Sequence, residues 1–107
     1  MGYVYLMESI RDYDTIYKIG YSKNPNKRIK NIQTGNDGLV KIIEIFETKH
    51  GKKLEVFLHN LYSHKRKNME WFDLNIDDIN SFKINCSKIE NSLDIFSKLK
   101  SEENFYI

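Results

Sequence analysis

Apolar and polar positions change their rhythm several times along this chain, and each rhythm predicts an element. Residues 3–7, Tyr-Val-Tyr-Leu-Met, form a short run rich in aromatic and β-branched side chains, which predicts a strand. Residues 8–15 are polar and charged and predict a loop. Residues 16–20, Ile-Tyr-Lys-Ile-Gly, predict a second strand, antiparallel to the first because the connection is short. Asn24-Pro25 marks a helix start, since Asn suits the N-cap and Pro the first helical position. That helix runs to about Gln33, with Gly35 available to end it. Residues 40–47 predict a third strand. Leu54, Phe57, Leu58, Leu61 and Tyr62 then fall at i, i+3, i+4, i+7 and i+8, one apolar stripe and the clearest helix of the chain. After a basic run at 64–67, Met69 to Phe72 returns to the core. Residues 77–83 predict a short helix. Residues 87–100 predict a longer one, with Ile89, Leu93, Phe96 and Leu99 on one face.

This order predicts an α/β domain of the α+β kind: a small three-stranded antiparallel sheet flanked by helices, in one domain over residues 1–107. An alternating βαβ pattern is absent, which argues against a doubly wound nucleotide-binding fold, and no glycine-rich phosphate loop occurs. At 107 residues there is room for one core. No apolar run approaches a membrane span, and the N-terminus lacks a secretion-signal pattern, so a cytoplasmic protein without a membrane partner is expected. The single cysteine, Cys86, excludes an internal disulfide and a thiolate zinc cluster.

Charge sharpens the picture. Residues 1–67 carry 13 Lys/Arg against 7 Asp/Glu, whereas residues 68–107 carry 4 against 8. A basic first two-thirds suggests an anionic partner without naming it.

Several residues carry candidate chemistry. Tyr3 and Tyr5 share one strand face. If the hairpin puts Lys18 on that side, an ammonium neighbours a phenol. A free Tyr has a pKa of about 10, so roughly 0.1% is phenolate at neutral pH, and a nearby cation raises that fraction. Arg28 lies about 40° from Ile32 on the helical wheel, at the rim of the apolar stripe, where a guanidinium can face a phosphate. Glu55 lies about 20° beyond Tyr62, also on a stripe border, with His59 one turn on. Such a pair can contribute to a metal site, although two ligands are too few for structural zinc. Read alone, each has an ordinary explanation: packing tyrosines, a rim arginine, and a surface Glu pairing with His59 or Arg66.

Taken in order, these residues resemble the GIY-YIG nuclease superfamily. Val4-Tyr5 matches the end of its first motif. Tyr17-Lys18-Ile19-Gly20 matches the second, with Lys in place of a tyrosine. Arg28, in the next helix, matches the family arginine. Leu54-Glu55 with Leu58-His59 matches the helix that supplies a metal-binding glutamate. Glu70-Trp71-Phe72 resembles the ending of a short branch common in phage, viral and bacterial proteins. The resemblance covers residues 2–74, leaving 75–107 as a helical extension. Three departures stand beside it: an inserted Tyr in the first motif, Ile32 where some relatives carry His, and no matching downstream asparagine.

The resemblance implies a metal-dependent endonuclease cutting phosphodiesters in nucleic acid, with double-stranded DNA the expected partner. Tyr5 would be the general base, with Tyr3 and His59 in reserve. Lys18 would lower the Tyr5 pKa or contact phosphate. Arg28 would hold the scissile phosphate, and Glu55 would ligate Mg²⁺ or Mn²⁺. Lys27 and Lys30 would join Lys18 and Arg28 on the backbone. Glu70 is a rival acid, but its place beside Trp71 and Phe72 suggests a structural role. With no appended DNA-binding module in the sequence, specificity would come from loops, a dimer or a separate targeting partner. The alternative is a nucleic-acid-binding module of the same fold that has lost catalysis. A protein-interaction domain is the third reading, and it gives these residues no reason to converge.

Overall fold

The computed structural model describes the backbone of residues 1–105 and the side chains of residues 1–100. Its strands are β1 (Gly2–Ile10), β2 (Thr15–Ser22), β3 (Leu39–Thr48), β4 (Arg66–Asn68) and β5 (Trp71–Phe72). Its helices are α1 (Pro25–Thr34), α2 (Lys52–Leu61) and α3 (Ile76–Phe105), with one 3₁₀ turn at Ser63–Lys65. The strands form one sheet in the order β3-β1-β2-β5-β4, with every neighbouring pair antiparallel.

Inner strand β1 is apolar on both faces over Val4–Met7 because both faces are covered. Val4 and Leu6 point to a large core with Ile19, Leu54, Leu58, Phe72 and Phe82. Tyr5 and Met7 point the other way, to a small core with Val40 that Ile29, Ile32 and Ile42 flank. Thus α2 and α3 cover one face, and α1 covers the other.

The sheet has five strands, not the three expected. The two extra strands are three and two residues long, too short to display a period of two. They pair through Asn68–Trp71 across a tight turn in which Met69 takes a left-handed φ of 50°. Gly or Asn usually announces such a turn, and Met gives no such signal.

The second correction concerns the C-terminal helices. Residues 77–83 and 87–100 belong to one continuous helix, α3. No Gly or Pro interrupts them, and Ile79, Phe82, Cys86, Ile89 and Leu93 continue one stripe against the large core. Phe96 and Leu99, expected on that face, are exposed, as are Phe57 and Leu61 of α2. The start of α3 is a reciprocal cap: Asp78 N–H donates to Asn75 Oδ1, and Asn75 N–H donates to Asp78 Oδ2, both at 2.9 Å. At α1, Asn24 Oδ1 accepts from Lys27 N–H at 3.2 Å with Pro25 next in line, as the sequence predicts.

Candidate functional site

The site lies along β2 beyond the point where β5 ends. Ile19 N–H still donates to Glu70 O at 3.2 Å, but the Ile19 carbonyl accepts instead from His59 Nε2 at 2.8 Å. A helix side chain thus takes over where the strand partner stops, and it brings α2 to the edge of β2.

Tyr5 stands opposite Gly20, and Met7 opposite Lys18, so Tyr5, Gly20 and Lys18 share a face. The phenol of Tyr5 lies across Gly20: a Cβ there would sit 2.3 Å from Tyr5 Oη. Glycine is required at this position by that close approach. Tyr5 is 1% exposed, and burial pushes its pKa up to about 12. Arg28 opposes the shift, while Glu70 and Glu55 add to it. Arg28 is the cation whose charge opposes the rise, and Lys18 shares the Tyr5 face of the sheet. Lys18 Nζ donates to Glu70 Oε2 at 2.8 Å and lies 5.6 Å from the centre of the Trp71 ring.

Glu55 is 8% exposed. Burial raises its carboxyl above the usual value, and the nearby Glu70 raises it further against His59, Lys52 and Lys18. Burial alone would raise Glu70 too, but the Lys18 hydrogen bond and charge, helped by His59 and Lys52, hold it below the usual value. His59 packs tilted on Phe72, with ring centres 5.2 Å apart.

Arg28, Lys27 and Lys30 are exposed on α1. Among the described residues, the Arg28 side chain makes no ion pair, and neither do those of Lys27 and Lys30. Tyr3 stands opposite Ser22 and lines a shallow pocket with Lys23, Asn24 and Pro25, apart from the carboxylates. Cys86 is fully buried, and burial pushes its thiol up to about 12, so it is chemically quiet.

Sequence reasoning held Glu70 only as a rival acid with a structural role, and the structure brings it to the α2 pair. Ligand atoms of Glu55, His59 and Glu70 all lie within 4.8 Å of one another. An acid directly preceding an aromatic pair was the available signal, but only the left-handed turn at Met69 carries that acid to α2. Two carboxylates and an imidazole this close are a donor set that fits a divalent cation.

The T5orf172 domain family matches residues 2–92. The chain belongs to that family. T5orf172 domains are associated with phage-derived, nuclease-like proteins related to the GIY-YIG group. No curated protein and no solved structure matches the chain. The T5orf172 match spans β1 to the middle of α3 and so includes every residue placed in the site above. No helix among the described residues is long and apolar enough to cross a membrane.

Proposed function

We propose that this T5orf172 domain is a metal-dependent endonuclease of the GIY-YIG kind, acting on DNA. The observation that supports the reading is that Tyr5 and Lys18 share one face of the sheet, while Glu55 lies beside Glu70, which Lys18 bonds.

Each residue has a task that its surroundings suit. Exposed Arg28 holds the scissile phosphate and offsets charge that builds on it. Lys27 and Lys30, on the same helix, bind the flanking backbone. Tyr5 Oη, once ionised to the phenolate with its own proton lost to solvent, takes the proton of the attacking water. Its high pKa makes a strong acceptor that is rarely ionised at rest, so turnover depends on cations gathering around it. Glu55 would hold Mg²⁺ or Mn²⁺, and the ion supplies charge neutralisation at the leaving oxygen. Lys18 fixes the carboxylate of Glu70 beside these groups.

The deciding experiment incubates supercoiled plasmid with the protein and Mg²⁺ or Mn²⁺, with chelator as control. Nicked or linear DNA that disappears with chelator, and in Glu55→Gln, is the expected result. One observation favours the second reading, a binding module without catalysis: Tyr5 is almost wholly shielded from water. Salt-dependent DNA binding with intact plasmid in both metals would establish that reading instead.

A further inference from the structure

The reading above asks only Glu55 to hold the metal. We propose that Glu70 and His59 are ligands as well, and that this N,O,O site prefers Mn²⁺ and its first-row neighbours to Mg²⁺. The proposal rests on the nuclease reading only for the use of a metal at Glu55.

Geometry comes first. The three ligand atoms lie within 4.8 Å of one another. Bonds of about 2.0–2.2 Å place neighbouring ligand atoms roughly 3 Å apart and opposite ones roughly 4 Å apart. A small inward movement of side chains closes the set. Glu55 and His59 are one turn apart on α2, and Glu70 lies in the β4–β5 turn, where its carbonyl bond to Ile19 N–H ties it to β2.

The imidazole supplies an independent observation. A backbone carbonyl can only accept, so the 2.8 Å contact to Ile19 O requires His59 Nε2 to carry a proton. In the neutral ring, Nδ1 then keeps its lone pair, and it is the nitrogen the proposal assigns to the ion. Anchoring the far nitrogen to a carbonyl is how proteins aim metal-binding histidines. It also sets the metal class. Imidazole suits iron, nickel, copper and zinc ions, and Mn²⁺ stands at the weak end of that first-row series, whereas Mg²⁺ favours all-oxygen surroundings and keeps its water.

Lys18 supplies the third argument. Its side chain is 12% exposed and bonds Glu70 Oε2 at 2.8 Å. Without a metal, two neighbouring carboxylates need a cation, and Lys18 fills that need. A bound ion takes over the charge, so Lys18 competes with it and is released from Glu70 when it arrives.

The test measures Mn²⁺ binding to the full chain without nucleic acid, from the electron paramagnetic resonance signal of the free ion. One Mn²⁺ per chain is expected, with Mg²⁺ competing only at about tenfold or greater excess. Glu70→Gln and His59→Gln should each weaken binding by about tenfold or more. Lys18→Met should strengthen it. That opposite sign separates a ligand role for Glu70 from a mere ion pair, whose loss from either side would leave affinity unchanged. Circular dichroism checks the fold of each variant. If His59→Gln does not fold, paramagnetic broadening of the His59 ring signals in the unaltered protein, ahead of those of His50 and His64, answers the same question. Wild-type affinity in Glu70→Gln and His59→Gln, with binding lost only in Glu55→Gln, would overturn the proposal and leave the single-carboxylate site standing. Wild-type affinity in Glu55→Gln as well would remove the metal from the proposed function too.

Discussion

The two faces of the sheet are covered unequally. On one face, α2 and α3 bury Leu54, Leu58, Phe72 and Phe82 completely. On the other, α1 lays half-buried Ile29 and Ile32 over Tyr5, Met7 and Val40. The thick face holds the chain folded, and the thin face leaves room for a polar group at the end of its core. The two come together at Gly20, where the absent side chain lets a phenol from the thin face lie across the strand. Stability and chemistry are therefore separable along most of the molecule and inseparable there.

The largest effect should come from cutting into the thick face. Phe82→Ala should cost about 3–5 kcal/mol, a large part of the roughly 5–15 kcal/mol that holds a domain folded. Ile32→Ala on the thin face should cost about 1–2 kcal/mol, since the side chain is only half buried. Urea unfolding of both variants checks the contrast. Equal losses would mean that α1 carries as much of the fold as α3.

Next comes the phenol. Tyr5→Phe keeps the ring in the small core and removes only Oη. Cleavage should slow by about 10²–10⁴, with stability little changed. Because burial pushes Tyr5 up to about 12, the wild-type rate should climb about tenfold per pH unit on the alkaline side of neutral. That slope should vanish in Tyr5→Phe. A flat profile in the wild type would give the proton to another group.

Gly20→Ala strikes the junction itself. The new methyl would meet Tyr5 Oη and Cζ at 2.3 and 2.4 Å, and the ring is boxed in by its core. A loss of about 1–3 kcal/mol is expected together with loss of cleavage. Loss of one without the other would show that the faces are less tightly joined than their geometry indicates.

The smallest effect is the pH response of the two carboxylates in chelator. Glu55 is raised, first by burial and then by Glu70, so its ionised form opposes folding. Its favourable contribution is complete below the unfolded-state value and is lost as pH rises through the raised one. Glu55→Gln should therefore be the more stable protein at neutral pH, with the gap closing in acid. Glu70 is lowered by Lys18, so its contribution is present at neutral pH and lost as pH falls. Glu70→Gln should be the less stable, by about 1 kcal/mol or less. Melting curves across acid pH test both signs.

Legibility in the sequence followed the length of each pattern. β1, β2, β3, α1 and α2 run for eight to ten residues, long enough for a period to show. The hairpin of β4 and β5 holds no full period, and its turn depends on a methionine in a glycine-like conformation. Polar Asn85 and Ser87 mimic a break in α3, though nothing there interrupts a helix. In the site, Tyr5, Lys18, Arg28 and Glu55 stood out by order and spacing. The place of Glu70 depends on the unseen hairpin. The sealing of Tyr5 depends on α1 and on Gly20 at once, a three-body arrangement that no single stretch of sequence displays.

Trp71 is the only tryptophan of the chain, and the Lys18 ammonium rests over its ring. Indole emission is sensitive to a charge held against the ring and to the water around it. All of the tryptophan light from this protein therefore originates one residue from Glu70, beside the cation that bonds it. The molecule carries its own optical reporter. Whatever draws Lys18 away should change the colour or brightness of that emission, which allows occupancy to be followed in real time with no dye attached.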